Sequence, residues 1–235
     1  KPPTTSLIKI KCGDKIICEN FVNDDISFRY KILGQTNINS KKIEKIYKLE
    51  PSLKKKDYDI NKLSKLSFIS IDKEKKIINF SNKNININES IIIPKNYTVN
   101  FLPGSEIVFS KQGHIISYSS LNIIGTIEEP IIFKSNFDNN SNSKEIHYGY
   151  GILVMNSKNI SYVDNVIFKN MHYPDIKLGY GLMGSVNFYN TNVNIQNTEF
   201  KDNLSGDDYL NIINSNFEIK NVKFVNSKFD SIDLD

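Results

Sequence analysis

The sequence predicts an all-β protein, most of which is a right-handed parallel β-helix preceded by a small β module. Phenylalanines close short apolar segments at Phe109, Phe133, Phe168, Phe200 and Phe224. Their spacings of 24, 35, 32 and 24 residues fit a base period of 24 with two insertions of 11 and 8 residues. Asparagines recur at two further positions of the repeat, and apolar residues alternate with polar ones, which is the period of a strand. A repeat of this length built from short strands is typical of one coil of a parallel β-solenoid.

The repeat units agree with one another along their length. Segments 193–200 and 217–224 align throughout, and segment 161–168 matches them with Val163 facing inward. The asparagine columns are Asn165, Asn197 and Asn221 at one position, and Asn156, Asn190 and Asn214 at the other. Because equivalent residues of successive coils stack, we expect the phenylalanines inside and the asparagines in amide ladders at the bends. Asparagine also tolerates the left-handed backbone that sharp corners require.

The β-helix is predicted from residue 58 to residue 235. Stepping 24 residues back from Phe109 gives Ile85, so Lys75 to Ile87 is expected to form the first coil or its cap. Pro94 and Pro103-Gly104 mark turns between strands. No apolar run approaches the ~20 residues that a membrane-spanning helix needs, so no membrane span is expected.

Residues 1–57 differ in pattern from the repeats that follow and predict a small β module that ends in a linker. Segments 7–12 and 16–21 suggest a β-hairpin, 27–33 a further strand, and 43–56 a short helix or linker. Cys12 and Cys18 bracket the turn of the hairpin, where either a disulfide or two reduced thiols would fit.

The charge pattern does not favour nucleic-acid binding. The net charge is +4, and residues 1–57 hold 13 basic and 7 acidic side chains whereas 201–235 hold 4 and 7. No aromatic residues interleave Lys54-Lys55-Lys56, so a solvated linker is preferred to a nucleic-acid contact. The chain begins at Lys1 without a leader and ends within a strand-like alternation, so we expect a fragment of a longer chain. The compartment stays open, an extracellular or cell-surface one included.

Six segments of the chain resemble a bacterial domain family in ordered succession. They are Ile116–Ser119, Gly125-Thr126 with Glu129–Ile131, Gly151–Met155, Gly184–Tyr189, Asp208–Ile212 and Asp230–Asp235. On these segments, residues from about 91 to 235 are similar to the β-helix domain found C-terminal to CotH-type, spore-coat-kinase-like domains. The resemblance implies a pectate-lyase-like solenoid and an upstream kinase-like domain, but no particular activity. The sequence itself has no Gly-rich phosphate loop and no kinase-type catalytic loop.

Both insertions fall at one corner of the coil, directly after the repeated phenylalanine. They span 136–148 and 171–181, and the equivalent connections after Phe200 and Phe224 are short and acidic. Loops on a rigid scaffold commonly carry binding function, and tyrosine and histidine faces suit stacking on sugar rings. The candidate binding residues are therefore Tyr148, Tyr150, His172, Tyr173, Asp175 and Tyr180. The competing interpretation is that the tyrosines cover the end of the core and the histidines are ordinary surface residues.

Acidic residues at the same corner suggest two further kinds of site. Asp208 and Asp230 would stack on adjacent coils, where a Ca²⁺ ion would relieve their repulsion, although stacked aspartates also cap turns. Ser205-Gly206-Asp207-Asp208 resembles the Gly-Asp-Asp segment of β-helix polysaccharide hydrolases, so Asp207 and Asp208 are candidate catalytic carboxyl groups. Arg29 is the only arginine of the chain, so the β-helix lacks the arginine that β-helix lyases typically use.

Three functions from different classes stay open. The preferred hypothesis is a non-catalytic scaffold or recognition module that binds a glycan or a protein partner along the loop-bearing edge. Hydrolysis or lysis of a polysaccharide is the second, and a spacer that positions an upstream enzymatic domain is the third. No cofactor other than Ca²⁺ is suggested by the sequence.

Overall fold

The computed structural model describes residues 27–30, 36–42, 60–111, 113–136, 149–172 and 184–235. The chain divides into two compact units, Lys1–Glu50 and Pro51–Asp235. In the first unit, strands β1 (Ser27–Tyr30) and β2 (Asn39–Lys42) pair antiparallel. The strand expected at 27–33 is thus present in part, whereas the expected hairpin, the segment 43–56 and both cysteines lie outside the described residues.

The described part of the second unit is all-β apart from one short helix, α1 (Ile60–Leu63). Its strands are β3 (Ile69–Asp72), β4 (Ile77–Phe80), β5 (Asn84–Ile87), β6 (Ser90–Ile93), β7 (Thr98–Phe101), β8 (Glu106–Phe109), β9 (His114–Ser117), β10 (Ser120–Ile124), β11 (Ile131–Ser135), β12 (Ile152–Met155), β13 (Ser161–Asp164), β14 (Val166–Lys169), β15 (Gly184–Tyr189), β16 (Val193–Lys201), β17 (Asp208–Ile213), β18 (Phe217–Val225) and β19 (Asp230–Leu234).

These strands form three parallel ladders that the chain visits in turn. The first ladder joins β4, β7, β10, β13, β16 and β18, and the second joins β5, β8, β11, β14, β16 and β18. The nine-residue strands β16 and β18 belong to both, which makes the two ladders one sheet. The third ladder is a separate six-stranded sheet of β6, β9, β12, β15, β17 and β19. We call one passage through the three ladders a coil and number the coils in chain order, so that coil one consists of β4, β5 and β6 and coil six of β18 and β19. The predicted all-β class with parallel strands is confirmed, and the arrangement is consistent with a β-helix.

The interior is a column of stacked aromatic rings flanked by aliphatic side chains. Alternate residues are buried in many strands of the first two ladders, as Ile85 and Ile87 are in β5, whereas β9, β12, β15 and β17 of the third ladder are buried on both faces. The ring stack follows the repeated phenylalanines from coil to coil, and its centroid separations are 6.1 Å for Phe109–Phe133, 5.4 Å for Phe133–Phe168, 4.8 Å for Phe168–Phe200 and 5.0 Å for Phe200–Phe224. On the first ladder Phe80 and Phe101 stack at 4.4 Å. A single short strand with one polar face buries little apolar surface. Stacking the rings of successive coils buries much more, and this burial favours folding.

The predicted register is correct in the later coils and wrong by two residues in the earlier ones. Phe168 pairs with Phe133 and with Phe200, as the repeat predicts. Phe133, however, pairs with Ile107, and Phe109 pairs with Ser135 rather than with Phe133. The expected match of Ile85 with Phe109 is wrong for the same reason, since Ile85 pairs with Ile107. A shift of two residues keeps every side chain on its own face, so the hydrophobic pattern could not reveal it.

Asparagine ladders line the bends. Asn190 Nδ2 donates to Asn156 Oδ1 at 2.8 Å, and Asn214 Nδ2 donates to Asn190 Oδ1 at 3.1 Å. In the other predicted column Asn221 donates to Asn197, but Asn197 donates to Asp164 rather than to Asn165. All six predicted asparagines have φ between 48° and 54°, the left-handed conformation expected of them. The structure adds two ladders that the sequence did not suggest, Asn79–Asn100–Asn122 and Asp202–Asn226.

The first coil is covered at its outer end by α1 and β3. Leu63 of α1 is buried, Phe68 stacks on Phe80 at 6.2 Å, and β3 pairs antiparallel with β4. The expected start of the coils within Lys75–Ile87 agrees with the positions of β4 and β5. Within the described residues, no helix has the length and apolar character needed to cross a membrane.

Candidate functional site

A column of side chains on the outer face of the third ladder changes from apolar to amide to acid. Residues beside it in sequence, such as Ile91 and Ile93, belong to the main core, so the column faces the other way. In ladder order the column consists of Ile92, Ile116, Leu153, Asn187, Asn211 and Asp233. The apolar half forms a hydrophobic cluster of its own with Tyr118 and Met155. We call the polar half, Asn187, Asn211 and Asp233, the outer polar column.

A second column lies three residues earlier in the same strands. It consists of Gly184, Asp208 and Asp230, which are register partners in β15, β17 and β19. Asn187 reaches back to Gly184, accepting from its N–H at 3.1 Å and donating to its carbonyl at 2.6 Å. In the next coil Asn211 also reaches back three residues, but its Nδ2 donates to the side-chain Oδ2 of Asp208 at 3.1 Å. Glycine is required at 184, because an added Cβ would lie 2.7 Å from Asn211 Cβ.

The polar groups of these columns are buried although they lie outside the core. The exposed fractions are 1% for Asn187, 4% for Asn211 and 5% for Asp208, whereas Asp233 is half-buried and Asp230 is exposed. Asn211 Oδ1 accepts no hydrogen bond. A buried acceptor without a partner is unfavourable and is uncommon in folded proteins, and this atom has almost no surface open to solvent.

The surroundings of the Asp208 carboxyl group disfavour its ionised form. Burial, and then the carboxylates of Asp233, Asp207 and Asp230, raise the pKa of Asp208 from 3.8 to about 6, against the opposing hydrogen bond from Asn211. The folded chain therefore holds this proton more tightly than the unfolded chain does. Stability that this group supports is present at low pH and is lost as the pH rises through about 6.

We expect Asp208→Asn to remove this loss of folding stability at neutral pH. At pH 7 the variant should be more stable than the wild type by about 1–2 kcal/mol, less than the full pKa shift implies because exposed neighbouring charges are screened. At about pH 4 the two proteins should be equal within about 0.5 kcal/mol. Urea denaturation between these pH values measures the difference, and Glu128→Gln, at an exposed site, is the matched control. A variant less stable than the wild type at pH 7 would contradict the burial argument.

The corner that precedes the third ladder brings together residues of three coils. His172 lies between β14 and β15, and its Nδ1 shares a hydrogen bond with the Ser205 hydroxyl in the connection between β16 and β17. Burial, and to a lesser degree Lys228 in the connection after β18, lowers the pKa of His172 to about 4. The imidazole is therefore neutral at pH 7, and the predicted meeting of these connections at one corner is confirmed for the residues described.

One half-exposed tyrosine stands beside the outer polar column. Tyr189 is two residues beyond Asn187 in β15, so it shares the outer face, and its exposed fraction is 37%. A second tyrosine of similar exposure, Tyr162 at 43%, lies on the first ladder. It lines a groove of about 250 Å³ together with Asn194, Gln196, Glu218 and Lys220. Either ring offers a flat apolar face to a ligand.

The predicted site residues fall into two groups. Tyr150 is half-buried with its ring 6.0 Å from that of His114, Asp207 is exposed, and the Asp207 carbonyl accepts the backbone N–H of Asp230 at 2.8 Å. The other predicted binding residues, Tyr148, Tyr173, Asp175 and Tyr180, lie outside the described residues. Asp208 and Asp230 are adjacent, as expected for stacked coils.

Sequence reasoning missed Asn187, Asn211 and Tyr189. The signal was present as a repeated spacing, because Gly184 and Asn187, Asp208 and Asn211, and Asp230 and Asp233 are each three residues apart in successive coils. Within the described residues, no three His, Cys, Asp or Glu side chains are arranged to hold a metal ion. Calcium at Asp208 and Asp230 therefore stays a prediction. Searches of the chain against protein-family models, curated proteins and solved structures found no match.

Proposed function

We propose that residues 58–235 form a right-handed parallel β-helix that acts as a non-catalytic recognition module for an extended glycan. Repeated parallel connections within one sheet are right-handed in nearly all proteins, which supports the handedness. The observation that carries the function is the accessible part of the outer face, where half-buried Asp233 continues the outer polar column and the ring of Tyr189 is 37% exposed. The resemblance to CotH-associated domains remains part of this proposal.

A glycan fits this face better than a compact ligand does. Equivalent residues of neighbouring strands are about 4.8 Å apart, so an extended ligand can follow several coils and reach the accessible Asp230, Asp233 and Tyr189. Amide and carboxylate groups hydrogen-bond to sugar hydroxyls, and Tyr189 supplies a ring for stacking. Tyr148, Tyr173 and Tyr180 stay predicted binding residues of the same module.

Affinity electrophoresis of the whole chain tests the proposal. Gels containing neutral, anionic or amino polysaccharides, each with and without Ca²⁺, should retard the chain in at least one case. Tyr189→Ala should lower the affinity about tenfold or more, whereas Tyr162→Ala, a matched tyrosine on the other sheet, should not. Loss on Tyr162→Ala alone would move the site to the groove on the first ladder. Unchanged mobility in every gel would contradict glycan binding and favour a protein partner or a spacer for an upstream domain.

A second candidate function is polysaccharide cleavage. The observation that favours it is the pKa of Asp208, raised to about 6, which lets this carboxyl keep a proton near neutral pH as a general acid does. Asp207 would then be the second carboxyl group. If this function holds, Asp207→Asn and Asp208→Asn should abolish the release of reducing sugar and leave gel retardation unchanged. Retardation of the wild-type chain without any release would leave recognition as the function.

A further inference from the structure

The outer side of the first ladder carries a group of exposed apolar side chains. Ile124 in β10 and Tyr162 in β13 are 45% and 43% exposed, and both line the groove of about 250 Å³. Leu102, which is 38% exposed, and Ile124 each lie two residues beyond a pair of register partners in β7 and β10, so they are neighbours. Ile127, in the turn that follows β10, is 85% exposed. We call Leu102, Ile124, Ile127 and Tyr162 the apolar face.

Tyr162 interrupts an amide ladder that an asparagine at the same position would continue. Asn122 Nδ2 donates to Asn100 Oδ1 at 3.1 Å, and Asn100 Nδ2 donates to Asn79 Oδ1 at 2.9 Å. The next residue of this column is Tyr162, the register partner of Asn122, and Asn194 follows it. A tyrosine ring has no amide to add to such a ladder. The ladder therefore does not explain this half-exposed ring, which suits contact with another molecule.

The charged groups that line the groove are already paired within the chain. Lys220 Nζ lies 2.6 Å from Glu218 Oε1. The Asp164 carboxylate accepts hydrogen bonds from Gln196 Nε2 at 2.7 Å and from Asn197 Nδ2 at 3.0 Å. Because these charges are paired, two copies of the same surface can face each other with little electrostatic repulsion.

The apolar side chains and the polar part of the groove lie at opposite ends of one surface. The three aliphatic residues of the apolar face belong to coils two and three, whereas the groove continues beside Asn194 and Gln196 in coil five. Tyr162, in coil four, lies between the two ends. A two-fold axis along β13, in the plane between two copies, would place the apolar end of each copy over the groove of the other. We infer that this surface is the interface of a homodimer, in which two copies of the chain pack their first ladders face to face.

The size of the surface predicts a weak dimer. Neighbouring strands are about 4.8 Å apart and about four residues long, so β7, β10, β13, β16 and β18 cover roughly 20 Å by 13 Å. Interfaces at the small end of the specific range are weak, and we expect a dissociation constant of about 10–100 µM. The interface does not use the third ladder, so the inference goes beyond the proposed glycan site and is independent of it.

Sedimentation velocity of the whole chain, from about 1 µM to about 300 µM, tests the inference. The mass should rise from the 27.0 kDa of one chain towards twice that value. Ile124→Lys and Ile127→Lys would each bury an ammonium group in the contact and should raise the dissociation constant about tenfold or more. Phe229→Lys makes the same kind of change at a residue that is 52% exposed, in the connection between β18 and β19, and should leave the constant unchanged. Circular dichroism should show all three variants folded, because each replaced side chain is at least 45% exposed.

Three results would overturn the inference. The first is a wild-type chain that stays monomeric at about 300 µM. The second is a dimer that Ile124→Lys and Ile127→Lys weaken no more than Phe229→Lys does, since the copies would then meet through another surface. The third is a mass that keeps increasing beyond two chains, because a two-fold interface closes at the dimer. A monomeric chain whose retardation in a polysaccharide gel is lost on Tyr162→Ala would show that the groove binds a glycan instead.

Discussion

Replacing Phe168 with alanine is expected to lower the free energy of unfolding by about 3–5 kcal/mol. Phe168 is buried, with 1% of its surface exposed, and stacks on Phe133 at 5.4 Å and on Phe200 at 4.8 Å. Truncation would remove the ring from the middle of the aromatic column and leave a cavity between two coils. Neighbouring rings cannot close that cavity easily, because each is fixed by the parallel ladder of its own strand.

Urea denaturation followed by circular dichroism measures this loss. Ile127→Ala is the control, since Ile127 is 85% exposed and its truncation should cost less than about 0.5 kcal/mol. Phe168→Leu should lie between the two, because leucine fills part of the volume. A loss below about 1 kcal/mol for Phe168→Ala would show that the stack does not carry the stability of these coils.

Gly151→Ala is expected to destabilise the protein by about 3 kcal/mol or more through a backbone clash. Gly151 precedes β12, and its carbonyl accepts the N–H of Ile115 at 3.1 Å. An added Cβ would lie 1.7 Å from the carbonyl oxygen of Ser185, which belongs to the next coil. Since the obstructing atom is backbone, no side-chain rotation can relieve the overlap, and coils three and four would have to separate locally.

Thermal unfolding and amide hydrogen exchange together measure this effect. We expect a lower melting temperature and faster exchange in β12 and β15, because these two strands pair beside the clash. Lys158→Ala, at an exposed position between β12 and β13, should leave both measurements unchanged. Wild-type stability for Gly151→Ala would mean that the two coils are further apart at this point than the structure has them.

The repeat in the sequence predicted the stacking wherever the coils have equal length. Segments 193–200 and 217–224 align without gaps, and β16 and β18 pair in that register. Phe109 and Phe133 stack as predicted, at 6.1 Å, but they are not register partners, because the turns between the earlier strands differ in length. A spacing of 24 residues therefore does not show which residues are opposite each other in the ladder. Side-chain alternation cannot detect an error of two residues, so only the hydrogen-bonded ladder decided which residues are opposite each other.

The sequence suggested where candidate site residues gather but not how they are buried or paired. The acidic connections after Phe200 and Phe224 pointed to the corner at which His172 and Ser205 meet, and Asp208 and Asp230 are adjacent as the repeat implies. The burial of Asn187 and Asn211 could not be predicted, because an asparagine that follows an apolar residue in a strand is ordinarily exposed. The contact of His172 with Ser205 could not be predicted either, because it joins residues 33 positions apart in connections of different length.

The sequence by itself determined the all-β class, the inward phenylalanines and the left-handed asparagines, because each follows from a local rule of periodicity or backbone preference. The tertiary structure decided the register of the early coils, the close approach at Gly151, and the unpartnered oxygen of Asn211 beside a buried carboxyl group. These depend on how far one coil lies from the next. That distance is set by packing between segments that are remote in sequence, and no local pattern encodes it.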